Sequence, residues 1–199
     1  MHNTNCIKMK KIVIFASGQG SNAQNIILHF NKKGFANVIA IFTNNSSAKV
    51  LDIAKNNAIE TLIFNKTELS EGFVLNKLKE IKPDLIVLAG FLWKFPESII
   101  DFYPNKIINI HPALLPKYGG KGMYGMNVHR AVLENRETET GITIHYVNKN
   151  YDEGEYIFQK STNIEDCRSA DEIATEVLKL EHEYLPKTVE KLLIAPQSL

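Results

Sequence analysis

The sequence predicts an α/β fold: a single doubly wound, mostly parallel sheet of Rossmann-like type, with a C-terminal antiparallel extension and a closing helix. Short apolar runs alternate with helical patterns over residues 10–112, which is typical of parallel strands joined by right-handed crossovers. Two alternating segments within 140–164 then indicate a hairpin. A long helical pattern over 169–194 closes the chain.

The first strand and helix are the clearest elements of the N-terminal half. The run KIVIFAS at 11–17 is rich in β-branched residues and predicts a strand. In the segment that follows, Ile26, Ile27 and Phe30 recur at helical spacing, and Gly34 is a typical C-cap. The first helix is therefore expected to end at Gly34.

The same alternation continues through the rest of this half. Phe73, Leu75, Leu78 and Ile81 fall largely on one helical face, and Pro83 is expected to end the helix that carries them. The other elements expected here are strands at 37–44, 61–65, 84–91 and 106–112, a helix at 47–57 with Ser46 or Ser47 as its N-cap, a helix at 70–83 and a short helix at 96–104.

Beyond the fifth strand the character of the chain changes. Segment 113–125 is rich in glycine and proline, which predicts a long loop. Ser169 followed by Glu172 is a capping signature for the closing helix, and Pro186 should kink or split that helix. The other elements expected here are a helix at 126–135 and paired strands at 140–148 and 155–164.

Charge and composition exclude several classes of function. With a net charge of +1 and no basic block, the chain is not expected to bind nucleic acid or a membrane surface. No apolar run reaches the ~18 residues needed to span a bilayer. Cys6 and Cys167 are too few and too far apart for a disulfide framework, and we interpret them as free thiols in a reducing compartment. We therefore expect a cytoplasmic protein.

The chain length suits one domain. Its 199 residues, 44% of them hydrophobic, can bury one compact core. Residues 1–9 lack the apolar region of a signal peptide, and we expect them to form a disordered leader. Residues 10–199 are then expected to form a single domain.

A glycine turn follows the first strand and indicates an anion site. Gly18, Gly20 and Ala23 nearly match the G-x-G-x-x-A turn of dinucleotide-binding proteins, but that motif also needs an acidic residue at the end of the second strand. Thr43 and Asn44 stand there instead, which argues against a dinucleotide. The spacing of a P-loop is absent as well.

The remaining feature of this turn is GSN at the start of a helix. The amides of Ser21 and Asn22 should point outward beside the positive end of the helix dipole, and Gly20 should let the backbone come close to a ligand. This geometry suits a single phosphate group. The alternative is a plain tight turn with a serine or asparagine cap.

The end of the fifth strand carries the most reactive residue pair. Asn109 and His111 lie two residues apart, so both side chains face the same way at the edge where such sheets bind ligands. An amide donor can stabilise an oxyanion while an imidazole beside it moves a proton. A single histidine at a strand end is more often structural, and that alternative stays open.

Asp152 lies in a turn just past the next alternating strand. A carboxylate that reaches His111 would favour the imidazolium and raise its pKa, although Asp152 could equally be a turn former. His129 and His145 are further candidates, with a helix surface and a strand face as their structural alternatives. The histidines lack the spacing of metal ligands, so no metal is expected.

Taken in order, these motifs resemble the phosphoribosylglycinamide formyltransferase family along residues 10–195. NIHPALLPKY is the most specific match and is close to a signature of the formyltransferase superfamily. The other matching stretches are SGQGSN, VLAGF followed by LWKF, YDEGEYIFQ and LEHEYLP. The resemblance implies the formyltransferase variant of the Rossmann-like fold and a cis peptide at Leu115–Pro116.

The resemblance also implies roles for individual residues. The catalytic positions are Asn109, His111 and Asp152. The substrate-binding positions are Gly20, Ser21 and Asn22 for the phosphate and Glu181 for the glycinamide end. The folate-binding positions are Leu88, Gly90, Leu92, Trp93, Lys94, Phe95, Asn109, Asn150 and Tyr151. Residues 10–108 would thus bind the ribotide phosphate, and 109–199 would supply catalysis and folate binding.

The implied activity is formyl transfer from 10-formyltetrahydrofolate to the amine of 5-phosphoribosylglycinamide in purine synthesis, by a monomer or homodimer that needs no metal. Asn109 would donate to the developing oxyanion, protonated His111 would assist, and Asp152 would hold His111. Two alternatives remain: a nicotinamide-dependent dehydrogenase, against which the missing ribose-binding acid argues, and a non-catalytic ribotide- or folate-binding protein.

Overall fold

The computed structural model describes residues 8–195, so the expected leader 1–9 lies almost wholly outside the described residues, as do Cys6 and the last four residues. The strands are β1 (Lys10–Phe15), β2 (Ala36–Thr43), β3 (Glu60–Ile63), β4 (Leu85–Leu88), β5 (Ile107–His111), β6 (Glu139–Tyr146) and β7 (Tyr156–Asn163). The helices are α1 (Ser21–Lys33), α2 (Val50–Asn56), α3 (Lys66–Ser70), α4 (Phe73–Ile81), α5 (Glu97–Phe102), α6 (Met126–Glu134) and α7 (Ala170–Ile194).

The seven strands form one sheet in the order β3-β2-β1-β4-β5-β6-β7. Strands β1 to β5 are parallel, and β6 and β7 add to the β5 edge as an antiparallel pair. This confirms the predicted doubly wound sheet and its antiparallel extension. The chain order reverses at β1, between β2 and β4, which is where sheets of this kind form a ligand crevice.

Apolar residues of β1 divide between the two faces of the sheet. Ile12 and Ile14 belong to a core beneath α1, α2, α6 and α7, whereas Val13 and Phe15 belong to a second core beneath α3, α4 and α5. The Phe15 ring meets the rings of four other phenylalanines edge-on, at centroid distances of 5.0 to 5.9 Å. Burial on both faces explains why the strand reads as a continuous apolar run.

The predicted helix at 70–83 is wrong in two respects. Helix α4 begins only at Phe73, because Gly72, at φ 94°, separates it from α3, a short helix that Asn65 and Glu68 start with a capping box. The buried face of α4 is centred on Val74 and Leu78, while Phe73 is 40% exposed. Leu75 and Ile81 pack against the same core as Leu78, so the predicted face is correct at these three positions and wrong at Phe73.

The N-cap positions of α2 and α7 are occupied by Lys49 and Ser169. Helix α2 starts at Val50 with Lys49 in the N-cap position, so the prediction of Ser46 or Ser47 as its cap is wrong. In α7 the Ser169 hydroxyl accepts a hydrogen bond from the Glu172 amide, as predicted. Pro186 does not split α7, which runs unbroken past it with Pro186 buried in the core.

Several smaller expectations have a clear outcome. Gly34 ends α1 in the left-handed conformation, with its amide donating to the Phe30 carbonyl. The Leu115–Pro116 peptide is cis, and Cys167 is a half-buried free thiol. Within residues 8–195, no helix combines the length and the apolar character that a membrane crossing requires.

Candidate active site

Strands β1, β4 and β5 are neighbours, so the three strand ends that carry the predicted motifs meet at one edge of the sheet. A cleft of about 360 Å³ opens there, between the turn after β4, the loop after β5 and the turn between β6 and β7. Eight of the residues predicted to bind folate line it: Leu88, Leu92, Trp93, Lys94, Phe95, Asn109, Asn150 and Tyr151.

Gly90 is the predicted folate-binding residue that does not line the cleft. It occupies the tight turn after β4 at φ 74°, where its carbonyl accepts a hydrogen bond from the Ser17 amide at 3.0 Å. The Ser17 hydroxyl in turn accepts from the Leu92 amide at 3.1 Å. These bonds fix the cleft wall against the end of β1, so Gly90 shapes the cleft from behind.

Four polar side chains converge at the floor of the cleft. Asn109 lies directly opposite His145 in the β5–β6 pairing, and its Nδ2 is 3.2 Å from Nε2 of that imidazole. Oδ1 of Asp152 is 3.4 Å from the Asn109 amide nitrogen. The same oxygen is 3.6 Å from His111 Nδ1 and 3.6 Å from His145 Nε2. One carboxylate therefore contacts all three partners.

The backbone of Asp152 and a hydrogen bond from Gly120 fix the position of the Asp152 carboxylate. Asp152 adopts φ 55°, a left-handed conformation that Asp accepts more readily than most residues, and its Oδ2 accepts a hydrogen bond from the Gly120 amide at 2.9 Å. Burial tends to raise its pKa, but hydrogen bonding to His145, the proximity of His111 and the Gly120 amide outweigh it, so the pKa is lowered. Asp152 is therefore ionised at neutral pH.

His111 is buried, with 3% of its surface exposed. Nε2 lies 2.7 Å from the Tyr118 carbonyl oxygen, which can only accept, so this nitrogen carries a proton and Nδ1 faces Asp152. Burial lowers the pKa of His111 more than Asp152 raises it. The expected net rise in this pKa is therefore wrong, because desolvation outweighs the carboxylate, and His111 is neutral in the free protein at neutral pH.

Of the other two candidate histidines, His145 lies at the site and His129 does not. His145 belongs to the cluster, and its Nδ1 is 2.8 Å from the Tyr146 carbonyl, which leaves Nε2 for the cluster side. His129 is buried on α6 rather than on a helix surface, and its Nδ1 has no partner among the described residues. Burial lowers the pKa of His129 to about 4. His145 thus joins the site, and His129 is a neutral core residue.

The glycine turn after β1 leads directly into α1. Gly20 is the N-cap, with no side-chain cap, so the first amides of α1 have no partner within their own helix. Gly20 is required for packing: a Cβ there would lie 2.6 Å from Val50 Cγ2 and 2.9 Å from Val50 Cα. Position 20 therefore requires glycine for packing against α2, in addition to any need for a ligand to come close to the backbone.

Asn22 and Glu181 are brought together although they are far apart in the sequence. Asn22 Nδ2 donates to Glu181 Oε2 at 2.6 Å, while Asn22 Oδ1 is buried without a partner in the part of the chain that the structure describes. Glu181 is half-buried, and burial raises its pKa. A mid-helix glutamate is usually solvated, but this packing takes the Glu181 carboxylate out of solvent and holds it against Asn22.

Replacing Gly20 by Ala is expected to destabilise the fold by about 1–3 kcal/mol, because Ala at φ 78° is strained and its Cβ would collide with Val50. Gly18→Ala is the matched control, since no described atom lies within 4 Å of a Cβ placed there. Thermal unfolding of the two variants measures the difference. Equal melting temperatures would contradict this account of the turn.

The end of β2 lacks the features of a dinucleotide site. Thr43 is fully buried and its hydroxyl accepts a hydrogen bond from the Asn45 amide, while the Asn45 side chain donates to the Ser17 carbonyl. Thr43 and Asn44 occupy the position at which a dinucleotide site has its ribose-binding carboxylate. No group of three or more potential metal-ligating side chains occurs among residues 8–195.

Comparison with known proteins agrees with this geometry. The formyl transferase family profile matches residues 10–189. A chloroplastic phosphoribosylglycinamide formyltransferase of Vigna unguiculata is 36% identical over 94% of this chain, which spans 62% of that protein's length. The phosphoribosylglycinamide formyltransferase of Bacillus subtilis (strain 168) is 31% identical, over 93% of this chain and 95% of its own.

A solved structure gives the same result. The crystal structure of phosphoribosylglycinamide formyltransferase from Anaplasma phagocytophilum superposes with a TM-score of 0.85 at 30% identity, covering 94% of this chain and 88% of that one. The chain therefore belongs to the formyl transferase family.

Proposed function

We propose that this protein transfers the formyl group of 10-formyltetrahydrofolate to the amine of 5-phosphoribosylglycinamide, giving formylglycinamide ribonucleotide and tetrahydrofolate. The observation that carries the proposal is the ionised Asp152, whose Oδ1 lies within 3.6 Å of His111, His145 and Asn109 on the cleft floor. The names of the relatives support the same activity. Residues 10–199 would act as one domain.

The ribotide would bind at the start of α1. The unpaired first amides of a helix and its positive dipole end suit a phosphate group, so Gly20, Ser21 and Asn22 are the proposed phosphate site. The buried Asn22 Oδ1 lacks a partner among the described residues and could accept from a ligand N–H or O–H. Glu181, held beside it, would receive the glycinamide end.

The folate would bind in the 360 Å³ cleft. Its size is that of a small-ligand pocket, and its wall combines the flat rings of Phe91 and Trp93 with apolar Leu88 and Leu92. Aromatic walls suit a flat heterocycle. The polar floor, with Asn109 among its residues, suits the formyl end, so a bound donor would face the cluster.

The chemistry follows from the protonation states of the cluster. As the amine attacks the formyl carbon, Asn109 Nδ2 would turn from its present partners to the developing oxyanion. The amine must lose a proton, and the unprotonated Nδ1 of His111 would take it up through water, with ionised Asp152 stabilising the imidazolium. Returning that proton to the folate nitrogen would complete the cleavage of its bond to the formyl carbon.

An assay of tetrahydrofolate release tests the proposed function. Release from 10-formyltetrahydrofolate is expected only when 5-phosphoribosylglycinamide is present, together with an equal amount of formylated ribotide. Release without the ribotide would indicate a hydrolase instead. Binding of either ligand without turnover would favour a non-catalytic protein, and tight binding of NADH would favour the dehydrogenase alternative.

Glu181→Ala is expected to raise the KM for the ribotide by about 10–100-fold, because hydrogen bonds to charged groups are worth about 1.5–3 kcal/mol. The KM for the folate should not change. Glu183→Ala is the matched control, since Glu183 is exposed and pairs with Lys187 on the same helix. If both variants have the same KM for the ribotide, Glu181 does not bind it.

A further inference from the structure

The loop after β5 folds back onto the histidine that precedes it. The Tyr118 carbonyl accepts the hydrogen bond from His111 Nε2 at 2.7 Å, and the Gly120 amide donates to Asp152 Oδ2 at 2.9 Å. The three-residue stretch 118–120 therefore contacts both members of the His111–Asp152 pair. A shift of this stretch would change the proton position on one and the orientation of the other.

The two ends of this loop are held by different elements. At its start, the Thr143 hydroxyl of β6 donates to the Ala113 carbonyl at 2.7 Å and accepts from the Leu115 amide at 3.0 Å. Further on, Tyr118 adopts φ 57°, a conformation that costs a non-glycine residue of order 1 kcal/mol or more and must be held by its surroundings. Its hydroxyl donates to Glu137 Oε1 at 2.8 Å.

We propose that Tyr118 and Glu137 are positioning residues for His111: the hydrogen bond between them fixes the Tyr118 carbonyl, and that carbonyl fixes the tautomer and orientation of the imidazole. Glu137 lies in the connection between α6 and β6, outside the cleft lining, so it acts on the reaction only through Tyr118. The inference rests on the proposed function, since it assigns Tyr118 and Glu137 a part in that reaction.

The charge states keep this hydrogen bond intact over the working pH range. Burial and the hydrogen bond to Glu137 raise the pKa of Tyr118 to about 12, so the hydroxyl remains a donor. Hydrogen bonds from Lys117 and Tyr118 lower the pKa of Glu137, so the carboxylate remains ionised. A charge-assisted hydrogen bond of this kind is stronger than a neutral one.

Lys117 supplies a matched control. Its Nζ contacts the same Glu137 oxygen at 2.9 Å, but its side chain is 69% exposed, and ion pairs at such positions contribute little. Lys117→Ala therefore removes a contact to Glu137 without touching the Tyr118 hydroxyl. Glu137→Gln is the conservative variant, because its amide oxygen still accepts the tyrosine hydrogen bond.

The experiment compares Tyr118→Phe, Glu137→Ala, their double variant, Glu137→Gln and Lys117→Ala. A displaced catalytic group commonly lowers turnover by about tenfold or more, so we expect kcat to fall about tenfold in Tyr118→Phe and Glu137→Ala. The double variant should fall no further than either single one, since both break one bond. Glu137→Gln and Lys117→Ala should stay within about twofold of wild type.

Nitrogen-15 spectra of labelled histidine give a readout that does not depend on activity. Wild-type His111 is expected to carry its proton on Nε2. In Tyr118→Phe and Glu137→Ala the two tautomers should mix, and the pKa of His111 should fall further, because the Tyr118 carbonyl is one of the groups that raise it. Thermal unfolding shows whether each variant remains folded.

The outcomes distinguish this inference from the proposed function. If wild type does not transfer formyl groups, the proposed function fails, whatever the spectra show. If wild type is active but the His111 resonances of Tyr118→Phe and Glu137→Ala match those of wild type, the positioning role is wrong. It is equally wrong if Lys117→Ala or Glu137→Gln loses as much activity as Glu137→Ala.

Discussion

His111→Gln is expected to lower kcat for formyl transfer by about 10²–10⁴-fold, the usual contribution of a positioned acid or base. Gln can still donate to the Tyr118 carbonyl, so the loop after β5 keeps its anchor. It lacks a nitrogen that can take up the amine proton opposite Asp152. The KM values should change little, because the phosphate and folate sites are untouched.

His29→Gln is the matched control for this variant. Like His111, His29 lies beside a carboxylate, with Nε2 at 2.6 Å from Glu190 Oε2, but it is only half-buried and does not line the cleft. Its turnover should stay within about twofold of wild type, as expected of a change far from the reacting groups. If His111→Gln turns over at a rate near that of His29→Gln, then His111 is not the proton acceptor.

Asp152→Asn is expected to lower kcat on the order of 10³-fold. The amide keeps the shape of the side chain and can still accept from the Gly120 amide, so the loss is one of charge. Two unit charges about 4 Å apart interact by about 4 kcal/mol near a protein surface, which corresponds to about 10³ in rate. Rapid-mixing kinetics at saturating substrates would measure the loss.

A control and a pH series complete this test. Asp84→Asn should keep full activity. Asp84 binds Lys10 and the Lys11 amide at the amino ends of β1 and β4, whereas the cleft lies at the carboxyl ends of these strands. The lowered pKa of Asp152 means that its carboxylate contributes stability that is complete above the unfolded value of 3.8 and lost as pH falls through the folded pKa. The wild type should therefore lose more stability than Asp152→Asn in strong acid. Identical acid unfolding of the two proteins would contradict the lowered pKa of Asp152.

The sheet was predictable because its strands and turns each have a characteristic local sequence pattern. Strands covered on both faces, such as β4, must be apolar throughout, and the turns between them need Gly, Asn or Pro. The start of α4 was not predictable in the same way. Gly72 separates α3 from α4 through a left-handed conformation that the sequence alone does not reveal.

The candidate site likewise contains residues that the sequence predicts and features that it does not. Asn109 and His111 were predictable because strand ends concentrate function in parallel sheets. The part played by His145 depends on the β5–β6 register, which sets it opposite Asn109. Knowing that His145 lies on a strand after a long loop does not give that register. The neutral state of His111 depends on burial, a sum over many neighbours that no local pattern reveals.

A crystal structure of the complex with 5-phosphoribosylglycinamide and an unreactive folate analogue tests the central claim most directly. We expect the phosphate on the amides of Ser21 and Asn22, the folate ring in the cleft, and the amine within about 3.2 Å of a water or side chain that leads to His111 Nδ1. A phosphate bound elsewhere, or an amine that has no hydrogen-bonded path to His111, would contradict the claim.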